Sequence, residues 1–169
     1  FGDGAGAAVL TNSGEGPQLI GFKSGADGSN PTLLHQPAGG SLEPASKKTL
    51  EARGHFLKMN GREIFKSAVR VMSTAAQELL SENGFSVDDV DHIIPHQANA
   101  RIVESLSQRL AIPLDKFFCN LDKYGNTSAA SIPIAFDEAT KASIFKQGQL
   151  GLFVAFGAGL TWSAVLVRF

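Results

Sequence analysis

Two strand-length apolar segments constrain the fold of this chain more than any other feature. Residues 150–156 and 160–167 are almost continuously hydrophobic, and three small residues (157–159) separate them. Near-continuous hydrophobicity over such a length is typical of a strand whose two faces are both covered. The segments therefore predict two strands inside a layered α/β domain, with helices packed on the sheet.

The other elements follow from periodicity and from cap residues. Apolar residues recur at three- and four-residue spacing from Arg62 onward, which predicts a long amphipathic helix ending at Asn83. Ser86 and Asp89 have the spacing of a capping box, which predicts a short helix. Further helices are predicted over 100–110 and 126–145, further strands within 1–13 and over 18–23, 92–96 and 117–119, and a long irregular segment over 24–60. The resulting order is ββαβαβαββ, with a mixed five-stranded sheet covered by helices.

Composition excludes several classes of protein. The chain has 169 residues, 43% of them hydrophobic, and a formal net charge of −1. This charge argues against a nucleic-acid partner held by bulk electrostatics, and no apolar stretch reaches the ~20 residues of a membrane span. A single cysteine, Cys119, excludes an internal disulfide and a cysteine-based zinc site, and it suits a cytoplasmic protein. The start at Phe1, without an initiator methionine, is interpreted as a cut through a longer protein.

Two polar residues are candidates for a functional site. His96 ends a short predicted strand and precedes a helix, where α/β sheets commonly place ligands; a structural histidine is the alternative. Asn126 stands at the start of a predicted helix, where it is either a helix cap or an amide donor that stabilises an oxyanion in a pocket.

The glycine-rich segments and the cysteine are less informative. Residues 2–6 carry Gly-x-Gly-x-Gly, but a strand is predicted after them rather than the helix that a dinucleotide-binding fingerprint requires. Residues 157–159 are a turn, or a place where a thioester could lie against bare backbone. Cys119 has no helix N-terminus or base beside it to lower its pKa, so it is interpreted as a small buried residue. The chain then contains no nucleophile.

Basic residues concentrate between positions 47 and 70, where seven of them stand against two acidic ones. Arg62, Lys66 and Arg70 recur every fourth residue, so they form one stripe on the long predicted helix. The stripe is either a solvated face or a landing site for an acidic partner or for phosphates.

Five segments, in order, resemble the β-ketoacyl-[acyl carrier protein] synthase III family. They are FGDGAGAAVL (1–10), MNGREIF (59–65), PHQANAR (95–101), YGNTSA (124–129) and FGAGLTW (156–162). The resemblance runs from end to end of the chain and covers the C-terminal half of a thiolase-fold enzyme. It implies that the nucleophilic cysteine lies in an N-terminal half absent from this sequence, since Cys119 does not match it. It also implies that the chain exposes a large apolar surface and is stable only with that other half.

The resemblance assigns roles to individual positions. His96 and Asn126 match the catalytic pair that binds the malonyl thioester carbonyl and stabilises the enolate formed as CO2 leaves. Positions matching the substrate and coenzyme A tunnel are Met59, Gly61, Ile64, Phe65, Ala68, Ala98, Asn99, Phe156 and Gly157. Positions matching the docking site for acyl carrier protein are Lys66, Gln97 and Arg101.

The implied reaction is a decarboxylative Claisen condensation that starts type II fatty acid synthesis. Acetyl-CoA, or another short acyl-CoA, and malonyl-acyl carrier protein would give acetoacetyl-acyl carrier protein, with no metal and no cofactor beyond these thioester substrates. The implied partners are the N-terminal half and a second copy in a homodimer. Two alternatives stay open: an acyltransferase of the same fold with a different acceptor or primer, and a non-catalytic subunit of a condensing pair.

Overall fold

A four-stranded mixed sheet organises the protein, whose computed structural model describes all residues 1–169. The strands are β1 (Gln18–Ala26), β2 (Leu34–His35), β3 (Lys58–Met59), β4 (His92–Pro95), β5 (Leu150–Gly157) and β6 (Thr161–Arg168). The helices are α1 (Lys47–Glu51), α2 (Gly61–Glu82), α3 (Ala100–Leu110), α4 (Leu121–Tyr124) and α5 (Ser131–Lys141). The main sheet has the order β1-β6-β5-β4, with β4 and β5 parallel and the other pairs antiparallel. β2 and β3 form a separate antiparallel pair, with α1 between them in the sequence.

Helices cover the sheet on both faces, as the apolar strands predict. On one face, Leu152 and Val154 of β5 and Leu166 of β6 are fully buried in a core formed with α2 and α3. On the other face, Phe153 of β5 lies against Phe136 of α5, with ring centroids 5.4 Å apart. Alternate side chains along a strand point to opposite faces, so β5 contributes to both layers. No helix combines the length and the apolar character that a membrane span needs.

Cap residues define the helix ends, and the predicted ones at Asn83 and at the Ser86–Asp89 box are confirmed. The Asn60 side chain accepts a hydrogen bond from the Glu63 backbone N–H and starts α2, and Asn83 ends the helix. Ser86 and Asp89 form the predicted capping box, which opens a single turn of 3-10 helix (Val87–Asp89). The α/β class and the mixed sheet are confirmed.

The predicted strand within residues 1–13 is absent, and the sheet has four strands instead of five. Residues 1–17 make one backbone–backbone hydrogen bond, from Gly2 N–H to the Asn126 carbonyl. A strand needs a ladder of such bonds, and no neighbour offers one to this segment, so Val9 and Leu10 remain exposed. The predicted strand at 117–119 is reduced to an isolated bridge between Phe117 and Ile93.

Two further boundaries differ from the predictions. The segment 24–60 is not wholly irregular, because it contains a turn of 3-10 helix (Pro31–Leu33), the β2–β3 pair and α1, which Ser46 caps. The helix predicted over 126–145 is shorter: a 3-10 turn (Ser128–Ala130) precedes α5, which ends at Lys141. Pro133 lies in the first turn of α5, where backbone N–H groups need no helical partner.

Candidate active site

A cavity of about 1000 Å³ opens where the carboxyl ends of β4 and β5 meet the start of α2 and α3. It brings together His96, Asn126 and eight of the nine positions expected to contact substrate: Met59, Gly61, Ile64, Phe65, Ala98, Asn99, Phe156 and Gly157. No Asp, Glu, Lys or Arg side chain lines it. The wall is mostly apolar, with a few amide, hydroxyl and imidazole groups.

The backbone and side chain of His96 are both held in place. Its backbone N–H donates to the Val154 carbonyl at 2.8 Å, which extends the β4–β5 pairing by one residue. The ring Nδ1 lies 2.7 Å from the Ser131 hydroxyl, and the ring packs edge-on against Phe156 at 5.7 Å. His96 is only 9% exposed, and this burial lowers its pKa below the usual value. The imidazole is therefore neutral near neutral pH.

Asn126 follows α4 and Gly125. Gly125 has a positive φ of 66°, a backbone conformation that residues with a side chain disfavour, and it turns the chain at the end of α4. The Asn126 side-chain oxygen accepts a hydrogen bond from the Ser128 backbone N–H at 2.9 Å. That contact occupies the carbonyl end of the amide and leaves the NH2 end free to donate. Asn126 is therefore not the N-cap of a helix, because Thr127 holds that position before the 3-10 turn. Its place on the cavity wall, with the NH2 group free, favours the interpretation as an amide donor.

The site can bind a developing negative charge on oxygen. His96 Nδ1 is hydrogen-bonded to Ser131, which leaves Nε2 free, and Asn126 Oδ1 is hydrogen-bonded to Ser128, which leaves the NH2 group free. Donors fixed by the fold before any ligand arrives stabilise an oxyanion strongly in an apolar cavity. With no lining carboxylate to repel the charge, stabilisation of an enolate or a tetrahedral oxyanion is the chemistry that this arrangement favours.

Two expected site residues lie elsewhere. Ala68 is fully buried in the core between α2 and the sheet, not at the cavity wall. Gln97 was expected to dock a partner, but it is 1% exposed. Its amide donates to the carbonyls of Pro95 and Phe118 and accepts from the Asn120 N–H. Its side chain therefore ties the end of β4 to residues 118–120 and is unavailable on this surface.

The basic side chains of the stripe do reach the surface. Arg62, Lys66 and Arg70 are exposed on α2, and Arg101 is exposed on the first turn of α3. Lys66 pairs with Glu63 at 3.2 Å, whereas Arg101 forms no ion pair. Both helices begin at the cavity, so Arg62 and Arg101, in their first turns, lie near its mouth, with Lys66 one turn and Arg70 two turns farther along α2.

Cys119 is exposed, contrary to the prediction that it is buried. The prediction failed because the segment 117–119 does not enter the sheet as a full strand. Partial desolvation by its surroundings raises the pKa of the Cys119 thiol, which lowers the fraction of reactive thiolate. The conclusion that the chain carries no activated nucleophile is unchanged.

Ser131 and Ser128 were missed as site residues. Both contact the candidate pair, Ser131 through its hydroxyl to His96 and Ser128 through its backbone N–H to Asn126. A small polar residue in the first turn of a helix is the only sequence signal for Ser131, and it does not show which neighbouring element the hydroxyl faces.

Solved structures share this architecture over almost the whole chain. The synthase III of Aquifex aeolicus VF5 matches with a TM-score of 0.79 and 43% identity, covering 94% of this chain and 47% of that one. The synthase III of Thermus thermophilus matches with a TM-score of 0.78 and 40% identity, covering 92% and 47%. The protein therefore has the fold of one half of a thiolase-fold enzyme.

Sequence relatives lead to the family itself. The family described as 3-oxoacyl-[acyl-carrier-protein] synthase III C terminal matches residues 80–169, and the chain belongs to this family. β-Ketoacyl-[acyl-carrier-protein] synthase III of Natranaerobius thermophilus is 50% identical over 171 residues, covering 99% of this chain and 52% of that protein. The enzyme of the same name from Caldanaerobacter subterraneus is 50% identical over 168 residues, covering 99% and 51%. The chain thus spans about half the length of the curated relatives it matches.

Proposed function

We propose that this chain supplies His96 and Asn126 to a β-ketoacyl-acyl carrier protein synthase III. The reaction condenses acetyl-CoA, or another short acyl-CoA, with malonyl-acyl carrier protein and starts fatty acid biosynthesis. The observation that carries the proposal is the pair of side chains in one cavity, each with one polar atom held by a neighbour. Family membership adds independent support.

The donors act at the decarboxylation step. The bond between the malonyl carboxylate and the α-carbon breaks, CO2 leaves, and the electron pair forms an enolate whose negative charge falls on the thioester oxygen. Hydrogen bonds from His96 and Asn126 to that oxygen are stronger in the transition state than in the bound substrate, which is the condition for catalysis. The enolate carbon then attacks an acyl thioester, and the cysteine thiolate of that thioester leaves.

The nucleophile and the other partners are proposed from the family relationship. The cysteine that carries the acyl group would come from the part of the relatives that lies outside this match. Acyl carrier protein would approach the basic residues at the cavity mouth, Lys66 and Arg101. A homodimer is proposed, as is a reaction without a metal or a cofactor beyond coenzyme A and phosphopantetheine.

The test compares His92, at the start of β4, with His96, which directly follows the strand, in the full-length protein. His96→Ala should lower the rate of malonyl-acyl carrier protein decarboxylation about 10²–10³-fold, the usual loss for one oxyanion donor. His92→Ala is the matched control, because His92 lies at the start of β4 and bonds to Gln149 instead of lining the cavity. Release of labelled CO2 from malonyl-acyl carrier protein measures the decarboxylation rate of both variants.

The alternatives predict other outcomes. An acyltransferase with a different acceptor would transfer acetyl groups without releasing CO2 from malonyl thioesters. A non-catalytic subunit would show neither activity, and His96→Ala would change nothing. Either result would contradict the proposal.

A further inference from the structure

A buried hydroxyl lies between the catalytic histidine candidate and the backbone beside it. Ser131 is the first residue of α5 and is 2% exposed. Its oxygen accepts a hydrogen bond from the Gln97 backbone N–H at 3.3 Å and lies 2.7 Å from His96 Nδ1. The Ser131 hydroxyl makes no other hydrogen bond within the protein.

These contacts determine where the Ser131 proton goes. A serine hydroxyl has one proton to donate and two lone pairs to accept. One lone pair already receives the Gln97 N–H, and the sole acceptor within reach of the proton is His96 Nδ1. The reverse arrangement, with Nδ1–H donating to serine, would leave the hydroxyl proton buried without an acceptor, which is unfavourable. Ser131 therefore donates and His96 Nδ1 accepts.

The proton of the imidazole must then be on the other nitrogen. A neutral imidazole carries one N–H, so an accepting Nδ1 requires a protonated Nε2. Nε2 makes no hydrogen bond to the protein, and it is not one of the buried polar atoms left without a partner. It is therefore accessible from the cavity that His96 lines. This is the nitrogen that the proposed reaction needs as a donor.

We propose that Ser131 is a positioning residue that fixes the tautomer of His96, holding its proton on Nε2 and directing it at the substrate oxygen. The assignment of the tautomer rests on the contacts alone. Its catalytic consequence rests on the proposed function, since only a reaction that develops charge on oxygen needs that donor.

Nitrogen NMR tests the tautomer directly. In the full-length protein labelled with 15N-histidine, above the pH at which His96 becomes protonated, long-range proton–nitrogen spectra should show an unprotonated Nδ1 and a protonated Nε2. Ser131→Ala should give a mixture of tautomers, and Ser131→Thr, which keeps the hydroxyl, should restore the single form. A wild-type His96 protonated on Nδ1 would overturn the proposal even if neither variant folds. A tautomer unchanged in Ser131→Ala would also overturn it.

Kinetics test the consequence. Ser131→Ala should lower kcat for malonyl decarboxylation about 10–100-fold, by analogy with the loss found when the partner that orients a metal-bound histidine is removed, and should leave KM within about 2-fold. Ser73→Ala is the matched control, because Ser73 is an equally buried helical serine that bonds to the Val69 carbonyl far from the cavity wall. Mixed tautomers with undiminished kcat would refute the positioning role. A wild-type protein with the predicted tautomer but no decarboxylation would refute the proposed function and leave the assignment intact.

Discussion

The cavity end of the sheet and the segment 1–17 are built in different ways. Around the cavity, His96, Gln97, Asn126 and Ser131 each have a hydrogen-bonded partner in the same chain. Residues 1–17 make one backbone–backbone hydrogen bond and leave Val9 and Leu10 exposed.

This difference separates what is preorganised from what is not. The donors at the cavity are held by contacts within this chain, His96 by Val154 of β5 and Ser131 of α5, and Asn126 by the Ser128 N–H of the 3-10 turn. The outer strand β1 pairs with β6 yet exposes Leu19 and Phe22, and the segment before it has no ladder partner. Apolar surface of this kind is normally covered by other protein.

The largest effect should come from removing a core side chain beneath the sheet. Leu152→Ala, at a fully buried position of β5, should lower the free energy of unfolding by about 2–5 kcal/mol, because it removes buried methyl groups and leaves a cavity. The same truncation at Leu10, which is 84% exposed, should change it by less than about 0.5 kcal/mol. Urea unfolding of the full-length protein measures both. Equal losses would mean that residues 1–17 are packed in solution and would remove the contrast between the two regions.

A second effect should come from the interior amide that ties β4 to residues 118–120. Gln97→Leu keeps similar bulk but leaves the Asn120 N–H and the carbonyls of Pro95 and Phe118 without their side-chain partner. Buried polar groups left unpaired cost about 1–3 kcal/mol. The matched control is Gln108→Leu on the exposed face of α3, which should be near neutral. If Gln97→Leu lowers the free energy of unfolding in urea no more than Gln108→Leu does, water replaces the amide as the partner of these groups.

These residues also show where sequence reasoning succeeds. The long helix, its end at Asn83 and the Ser86–Asp89 capping box were predictable because each of these signals acts on residues only a few positions away. His96 and Asn126 were identified as candidates because His96 ends a predicted strand and Asn126 stands at the start of a predicted helix. Their meeting in one cavity depended on the resemblance to a known family.

The failures share one physical cause, which is dependence on distant partners. Residues 7–10 have the apolar character of a strand, but a strand forms only where another strand offers a ladder. Gln97 is polar and next to a helix start, yet it turns inward because residues 118–120 bring backbone groups to it. Cys119 was assigned to the interior because a strand was predicted around it, and that strand does not form.

A pH effect should follow from the buried histidine. The folded-state pKa of His96 is lowered from its ordinary value of 6.5 by burial, so the unfolded chain binds a proton at a pH where the folded chain does not. Stability is therefore complete above about pH 6.5 and falls as the pH drops below it, by at most ~1.4 kcal/mol per pH unit for one proton. Urea unfolding at a series of pH values gives the free energy of unfolding of wild type and of His96→Asn. The difference between the two, followed across this pH range, isolates the contribution of His96. No change in that difference with pH would contradict the burial of a neutral ring.

The smallest effect should come from the charge at the cavity mouth. If Arg101 meets an acidic carrier protein, Arg101→Glu should raise KM for malonyl-acyl carrier protein about 2–5-fold, which is the range of one exposed ion pair, and leave KM for malonyl-CoA unchanged. Arg109→Glu makes the same charge change on α3, about 12 Å farther along the helix at 1.5 Å per residue, and should affect neither substrate. Because exposed charges are screened by salt, the Arg101 effect should shrink at high ionic strength. Equal effects of the two variants would mean that net charge, rather than this position, governs docking, and the cavity mouth would lose its role as the carrier-protein contact.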